Sequence, residues 1–317
     1  MKKLKLFGLL MASTLLFIGC GKSSEETKEQ DAPLKIVTTF YPMYDFASHV
    51  AKEHADVSML IDGGVEPHDY EPSAKDMAKI QDADVFIYNS KEMETWVEAV
   101  LASIDQSNVV IVEASEGIDL LDSEEHDHEA EEEQHEGHEE HEHGEHDPHV
   151  WLSPVLAQQE VATITEALVR VDKANQTSYE ENSRLYKEEL VTLDKEYQEM
   201  AKEATFKTFV TQHAAFSYLA HEYGLEQVSI SGINPDQEPT PKELKHIEDT
   251  VNEQHIAYIY TESSATPKIA KTISDATGAE LLTLNPMESL PKAQREKGEN
   301  YLTVMRENML NLKKSIK

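Results

Sequence analysis

Residues 176–205 read QTSYEENSRLYKEELVTLDKEYQEMAKEAT, a stretch with neither Gly nor Pro. Tyr179, Leu185, Tyr186, Leu190, Leu193 and Tyr197 recur at mostly three- to four-residue spacings among Glu and Lys, the pattern of one long amphipathic helix. At about 1.5 Å per residue, about 28 residues span roughly 40 Å, the length of a small domain. Its other positions are dense with Glu and Lys, so the stretch is predicted to be a strut joining two domains rather than a flexible linker.

The chain on either side of the strut repeats one pattern. Short β-branched runs are followed by capped amphipathic stretches, as in α/β folds with largely parallel sheets. Four strands are predicted before it, over residues 35–40, 56–61, 85–89 and 109–113, and four after it, over 206–211, 227–231, 256–261 and 280–284. The equal count predicts an α/β fold of two similar lobes, 34–175 and 206–317, joined by the helix over 176–205. Helix starts are marked at Ser73-x-x-Asp76 and Thr240-Pro241-x-Glu243, which read as capping boxes, and at Ser153-Pro154 and Thr266-Pro267. Gly224 and Gly278 read as helix stops. Residues 291–317 are helical in pattern apart from Gly298 and are predicted to pack as a last helix.

The first residues carry Lys2, Lys3 and Lys5, then an apolar run over 6–18, then Gly19-Cys20. Basic, hydrophobic and small regions in that order are an export signal over 1–19. The run is shorter than the about 20 apolar residues that a bilayer-spanning helix needs. Cys20, the sole cysteine, stands where bacterial lipoprotein signals are cut and lipidated, which predicts an extracytoplasmic protein anchored to the outer face of the cell membrane. Phe17 departs from the Leu usual three residues before such a cysteine. Residues 20–33 are polar and aperiodic, as a tether is. With no second cysteine, the chain has no intrachain disulfide and no multi-thiolate metal site.

The formal charge of −33, from 61 acidic and 28 basic residues, argues against a nucleic-acid partner and for cations. The charge peaks over 122–147, where seven of 26 residues are His and 14 are Asp or Glu. His126, His128, His135, His138, His141, His143 and His146 suit borderline metals such as zinc, nickel and copper. The same composition is that of a solvated loop that cannot repay its own ordering. The run is expected to hold zinc weakly at several positions and to pass ions to a tighter site.

In an open α/β sheet the ligand crevice lies beyond the carboxyl ends of the strands. Four metal-capable residues fall there: His68 in GGVEPHDYEPS, His149 at the end of the acidic run, His213 in TQHAAF and Glu288 in LNPMESL. Two belong to each lobe, so an ion held by all four sits between them. Three neutral imidazoles and one carboxylate suit tetrahedral Zn²⁺, with bonds of roughly 2.0 to 2.2 Å. Manganese prefers more oxygen ligands. Glu262, after its own strand, is the rival carboxylate and is expected to hydrogen-bond rather than ligate. Trp151 and Phe216 are expected to anchor the ligand loops in the core.

PHDYEPS, DPHVWLSP, QHAAFSYLAHEYG and LNPMESL, in this order and with a His- and acid-rich insertion before the second, resemble the zinc-binding solute-binding proteins of bacterial ABC importers. The resemblance runs from Leu34 onward. It implies two α/β lobes bridged by a backbone helix, zinc ligands at His68, His149 and His213, and Glu288 where some members have a carboxylate and others water. It also implies a monomeric receptor that delivers Zn²⁺ to a membrane permease driven by an ATPase, and that catalyses nothing. Manganese-binding relatives carry a carboxylate at the position of His213. The alternatives are a manganese or iron receptor of the same fold and, in another class, a zinc hydrolase, against which stands the absence of HExxH. A role in cell adhesion is open to any surface lipoprotein.

Overall fold

The computed structural model describes residues 33–123, 146–262 and 267–317. The signal segment, Cys20 and nearly all of the tether lie outside the described residues, as do His126, His128, His135, His138, His141, His143 and Thr266.

All eight expected strands form, and they make two parallel sheets. The first contains β1 (Leu34–Thr38), β2 (Ala55–Met59), β3 (Val85–Tyr88) and β4 (Val110–Glu113) in the order β2-β1-β3-β4. The second contains β5 (Thr208–Thr211), β6 (Glu226–Ser229), β7 (Tyr258–Thr261) and β8 (Glu280–Thr283) in the corresponding order β6-β5-β7-β8. In both, the strand order reverses beside the first strand of the set, which opens a crevice at the carboxyl ends. Five of the eight expected strands overshoot these ends by a residue or two, and those ending at 113, 211 and 261 match. Leu60, Ile61, Ile230 and Leu284 stay buried just past these ends and still donate their N–H to the carbonyls of Thr38, Thr39, Thr211 and Thr261 on the neighbouring chain segments, so the apolar pattern follows the hydrogen bonds beyond the regular ladder.

Helices α1 (Tyr41–Ala51), α2 (Ala74–Gln81), α3 (Val97–Ser103) and α4 (Pro154–Val171) accompany the first sheet, and α5 is the long helix Gln176–Lys202. With the second sheet go α6 (Ser217–Tyr223), α7 (Pro241–Glu253), α8 (Lys268–Thr277), the single turn α9 (Lys292–Arg295) and α10 (Tyr301–Ser315). Both capping boxes close: the Ser73 and Thr240 side chains accept from the backbones of Asp76 and Glu243, whose carboxylates reach back. Ser153 caps α4, and Gly224 and Gly278 end α6 and α8 in the left-handed conformation that suits a residue without Cβ. The expected last helix is two. Gly298, at φ 91°, separates α9 from α10, which the Asn300 side chain caps anew.

α5 packs on α1 and α4 of the first lobe and on α6 and α10 of the second. Tyr186 donates to Asp45 of α1 at 2.9 Å, and Tyr197 donates to the Met305 carbonyl of α10 at 2.6 Å. Leu185 departs from the expected stripe and is 42% exposed, because the buried face runs through Tyr179, Ser183, Tyr186, Leu190, Leu193 and Tyr197. One hydrophobic core joins Ile36 and Phe86 of the first lobe with Phe209, Phe216 and Met287 of the second. A smaller cluster around Ile259 and Ile273 fills the far side of the second sheet.

Candidate metal centre

The four predicted residues meet. One ligand atom from each of His68, His149, His213 and Glu288 lies within 4.8 Å of every other. Oε1 of Glu288 is 3.2 Å from His149 Nε2, 3.1 Å from His213 Nε2 and 3.7 Å from His68 Nε2. His149, His213 and Glu288 are buried, and 7% of the His68 side chain is exposed.

Each side chain is placed by the chain around it. His213 leaves the end of β5, where its carbonyl accepts from Thr211 Oγ1 at 2.8 Å and from Gln227 Nε2 at 2.9 Å. His149 opens a turn of 3₁₀ helix whose Trp151 is fully buried and donates Nε1–H to the Pro286 carbonyl at 2.8 Å. That bond ties the His149 turn to the Glu288 loop. The Glu288 loop is held from α10, since Asn308 accepts from Asn285 N at 2.8 Å and donates to its carbonyl at 2.7 Å. Met287, at φ 66°, takes a left-handed conformation unusual for a residue with a Cβ, directly before Glu288. His68 sits in the loop between β2 and α2, which crosses to the second lobe: Asn234 donates to Asp69 at 3.1 Å and Arg295 pairs with Asp62 at 2.5 Å.

Two imidazoles are oriented by carboxylates. Asp147 Oδ1 lies 2.7 Å from His149 Nδ1, and Glu262 Oε1 lies 2.5 Å from His213 Nδ1. An Nδ1–H donated to a carboxylate orients the ring and leaves Nε2 facing the cluster as the candidate ligand atom. Glu262 therefore does what was expected of it. Spacing alone does not single out Asp147; its place two residues before His149 is the only trace in the sequence. Of the seven histidines of the acidic run, the described one, His146, stands 3.2 Å from Asp122 where the two ends of the run meet as an isolated bridge.

Electrostatics follow from the crowding. Burial works against charge on Glu288, but the imidazoles of His213, His149 and His68 outweigh it and hold its carboxyl well below the usual range. Burial pushes His213 down, yet Glu262 and Glu288 hold it well above the ordinary imidazole value; Asp147 and Glu288 raise His149 likewise. His68, with no carboxylate against its Nδ1 among the described residues, is lowered by burial. Burial and then the Glu288 charge push Glu66, on the His68 loop, up to about 8.

Two like α/β lobes, a long helix packed along both and a polar cluster closed between them define the class of two-lobed solute-binding proteins. Within that class the chain belongs to the family described as ZnuA, zinc-uptake complex component A, periplasmic, whose pattern matches residues 36–315. It is similar to the high-affinity zinc uptake system protein ZnuA of Bacillus subtilis, 47% identical over 310 residues, with 97% of this chain and 96% of that protein covered. The zinc-binding lipoprotein AdcA of Streptococcus pneumoniae is 44% identical over 317 residues, and there the match spans 98% of this chain but 61% of the relative. The fold matches the crystal structure of the Zn(II)-bound ZnuA-like domain of that AdcA with a TM-score of 0.76 at 44% identity, covering 90% of this chain and 99% of the domain.

Proposed function

We propose that this chain is the extracytoplasmic receptor that captures Zn²⁺ and delivers it to an ABC permease and its ATPase. His68, His149 and His213 bind through Nε2, and Glu288 supplies the fourth ligand. The separations of the donor atoms carry the reading. A tetrahedral zinc with bonds of roughly 2.0–2.1 Å sets its ligands about 3.3 Å apart, and Glu288 Oε1 stands 3.2, 3.1 and 3.7 Å from the three imidazole nitrogens. The shells of His149 and His213 are completed by Asp147 and Glu262, as is usual for ligating imidazoles.

The same ligand set supports a receptor over an enzyme. A catalytic zinc keeps a position open for water, and here Glu288 takes it. Three imidazoles favour zinc over manganese. We further propose the division into an N-terminal lobe over 34–175, a linking helix over 176–205 and a C-terminal lobe over 206–317, working as a monomer. Export by the segment 1–19 and a lipid on Cys20 would hold it at the membrane; among the described residues no helix is long and apolar enough to cross one. The histidines of 122–147 would gather zinc weakly around the tight site.

Metal analysis of the purified protein tests the reading. The expected result is one tightly held zinc, lost in His213→Ala and retained when residues 124–145 are deleted. A His213→Ala variant that keeps its zinc, or a wild-type protein that prefers manganese, would refute the ligand assignment.

A further inference from the structure

Tyr218 of α6 is buried, and its hydroxyl donates to the Asp147 carbonyl at 2.6 Å while accepting from Leu121 N at 2.9 Å. Asp147 N in turn donates to the Leu121 carbonyl at 2.8 Å. The three bonds close a ring between the second lobe and the two ends of the acidic run. Asp147 is also the residue that fixes His149: Oδ1 accepts from His149 N at 2.9 Å and faces Nδ1 at 2.7 Å. α6 itself begins just past His213.

The two oriented imidazoles are thus held differently. His213 leans on Glu262, which follows β7 in its own lobe. His149 leans on Asp147, whose backbone is held from the opposite lobe by the helix that follows His213. We propose that Tyr218 is a positioning residue of the metal centre: by gripping the backbone of Asp147, it sets where His149 stands relative to His213 across the cleft. This rests on the ligand set proposed above. Without the hydroxyl, Leu121 N and the Asp147 carbonyl lose a shared partner in a buried place, and the His149 turn is free to shift away from α6.

Tyr223 supplies the control. It lies on the same helix and is also buried, and its hydroxyl bonds Asp194 of α5 at 3.2 Å rather than the neck of the acidic run. Tyr218→Phe and Tyr223→Phe each remove one hydroxyl from α6. Zinc release into excess chelator and the ligand-field absorption of the Co²⁺-loaded protein are measured for both. Tyr218→Phe is expected to release zinc about tenfold faster, as loss of an orienting partner does, and to shift the Co²⁺ absorption; Tyr223→Phe is expected to change neither. Wild-type release and spectrum in Tyr218→Phe, or equal changes in the two variants, would overturn the proposal. His213→Ala is run beside them. If it keeps its zinc, the ligand set fails and the proposal with it; if it loses zinc while Tyr218→Phe behaves as wild type, the ligand set stands and only the positioning role falls.

Discussion

Glu160 of α4 has no exposed surface, and neither of its carboxylate oxygens has a hydrogen-bond partner among the described residues. Burial, and then the charge of Glu94, push its carboxyl well above the usual range, so the fold favours its protonated form. Glu288 is buried nearly as deeply and is shifted the opposite way, because three imidazoles face it. The unfolded chain loses the Glu160 proton at about pH 4.3 while the fold keeps it. Stability therefore falls as the pH rises from there toward the folded pKa. Glu160→Met fills the same space without polar atoms and is expected to stabilise the protein by about 1–3 kcal/mol at neutral pH, with less decline between acid and neutral pH. Denaturant unfolding at several pH values checks it, and a variant less stable than wild type would rule out an unpaired carboxyl there. At this scale the sequence discloses the proposed ligands better than the groups behind them. His68, His213 and Glu288 come after β2, β5 and β8, and His149 closes the acidic run, all in loops where a metal-capable side chain stands out. Tyr218 works through a hydroxyl on the backbone of a residue far away in the chain, and no spacing or composition marks such a contact.

The long helix shows what periodicity can and cannot say. Its existence and its place between the lobes are legible, because an uninterrupted apolar stripe leaves few alternatives. Its buried face is legible less well. Tyr179, Ser183, Tyr186, Leu190, Leu193, Tyr197 and Met200 follow one another at alternating spacings of four and three, so the polar Ser183 is inside and the apolar Leu185 outside. Which of two apolar neighbours faces inward depends on what packs there, here Phe46 of α1 against Tyr186. Two substitutions separate the faces. Leu190→Ala is expected to cost about 2–5 kcal/mol, the range for emptying a buried leucine site, whereas Leu185→Ala is expected to stay within about 0.5 kcal/mol. Equal losses in thermal or chemical unfolding would mean that the buried stripe has been misplaced. Strands behave in the same way: all eight show in the sequence, their pairing order does not, and their ends blur where buried residues such as Ile61 and Leu284 keep a backbone bond to the neighbouring segment beyond the regular strand.

Across the whole molecule, one core runs from the first sheet to the second, through Trp151, Phe216, Met287 and Tyr301. Lobes that share buried side chains cannot part widely without exposing them, so capture and release of an ion have to draw on smaller movements. The His68 loop is the part suited to move. Unlike His149 and His213, His68 has no carboxylate against its Nδ1 among the described residues, and the loop meets the second lobe through the polar pairs Asp62–Arg295 and Asp69–Asn234. At Gly63 it also approaches closely: a Cβ there would stand 2.7 Å from Pro291 Cα and 3.1 Å from Pro291 N, both backbone atoms that cannot turn aside. Gly63→Ala should therefore lift the loop away from the second lobe while His149, His213 and Glu288 stay together. Relieving an overlap of this kind costs about 1–3 kcal/mol, and if the closed loop is what completes the metal site, the cost falls on binding as roughly a 5–150-fold loss of zinc affinity. Competition against a chelator of known affinity measures the loss, and small-angle scattering with and without zinc should show nearly the same radius of gyration in both proteins. Unchanged zinc affinity in Gly63→Ala would mean that His68 reaches the ion without the loop lying against Pro291, and a large change in radius of gyration on zinc binding would mean that the lobes move despite the core they share.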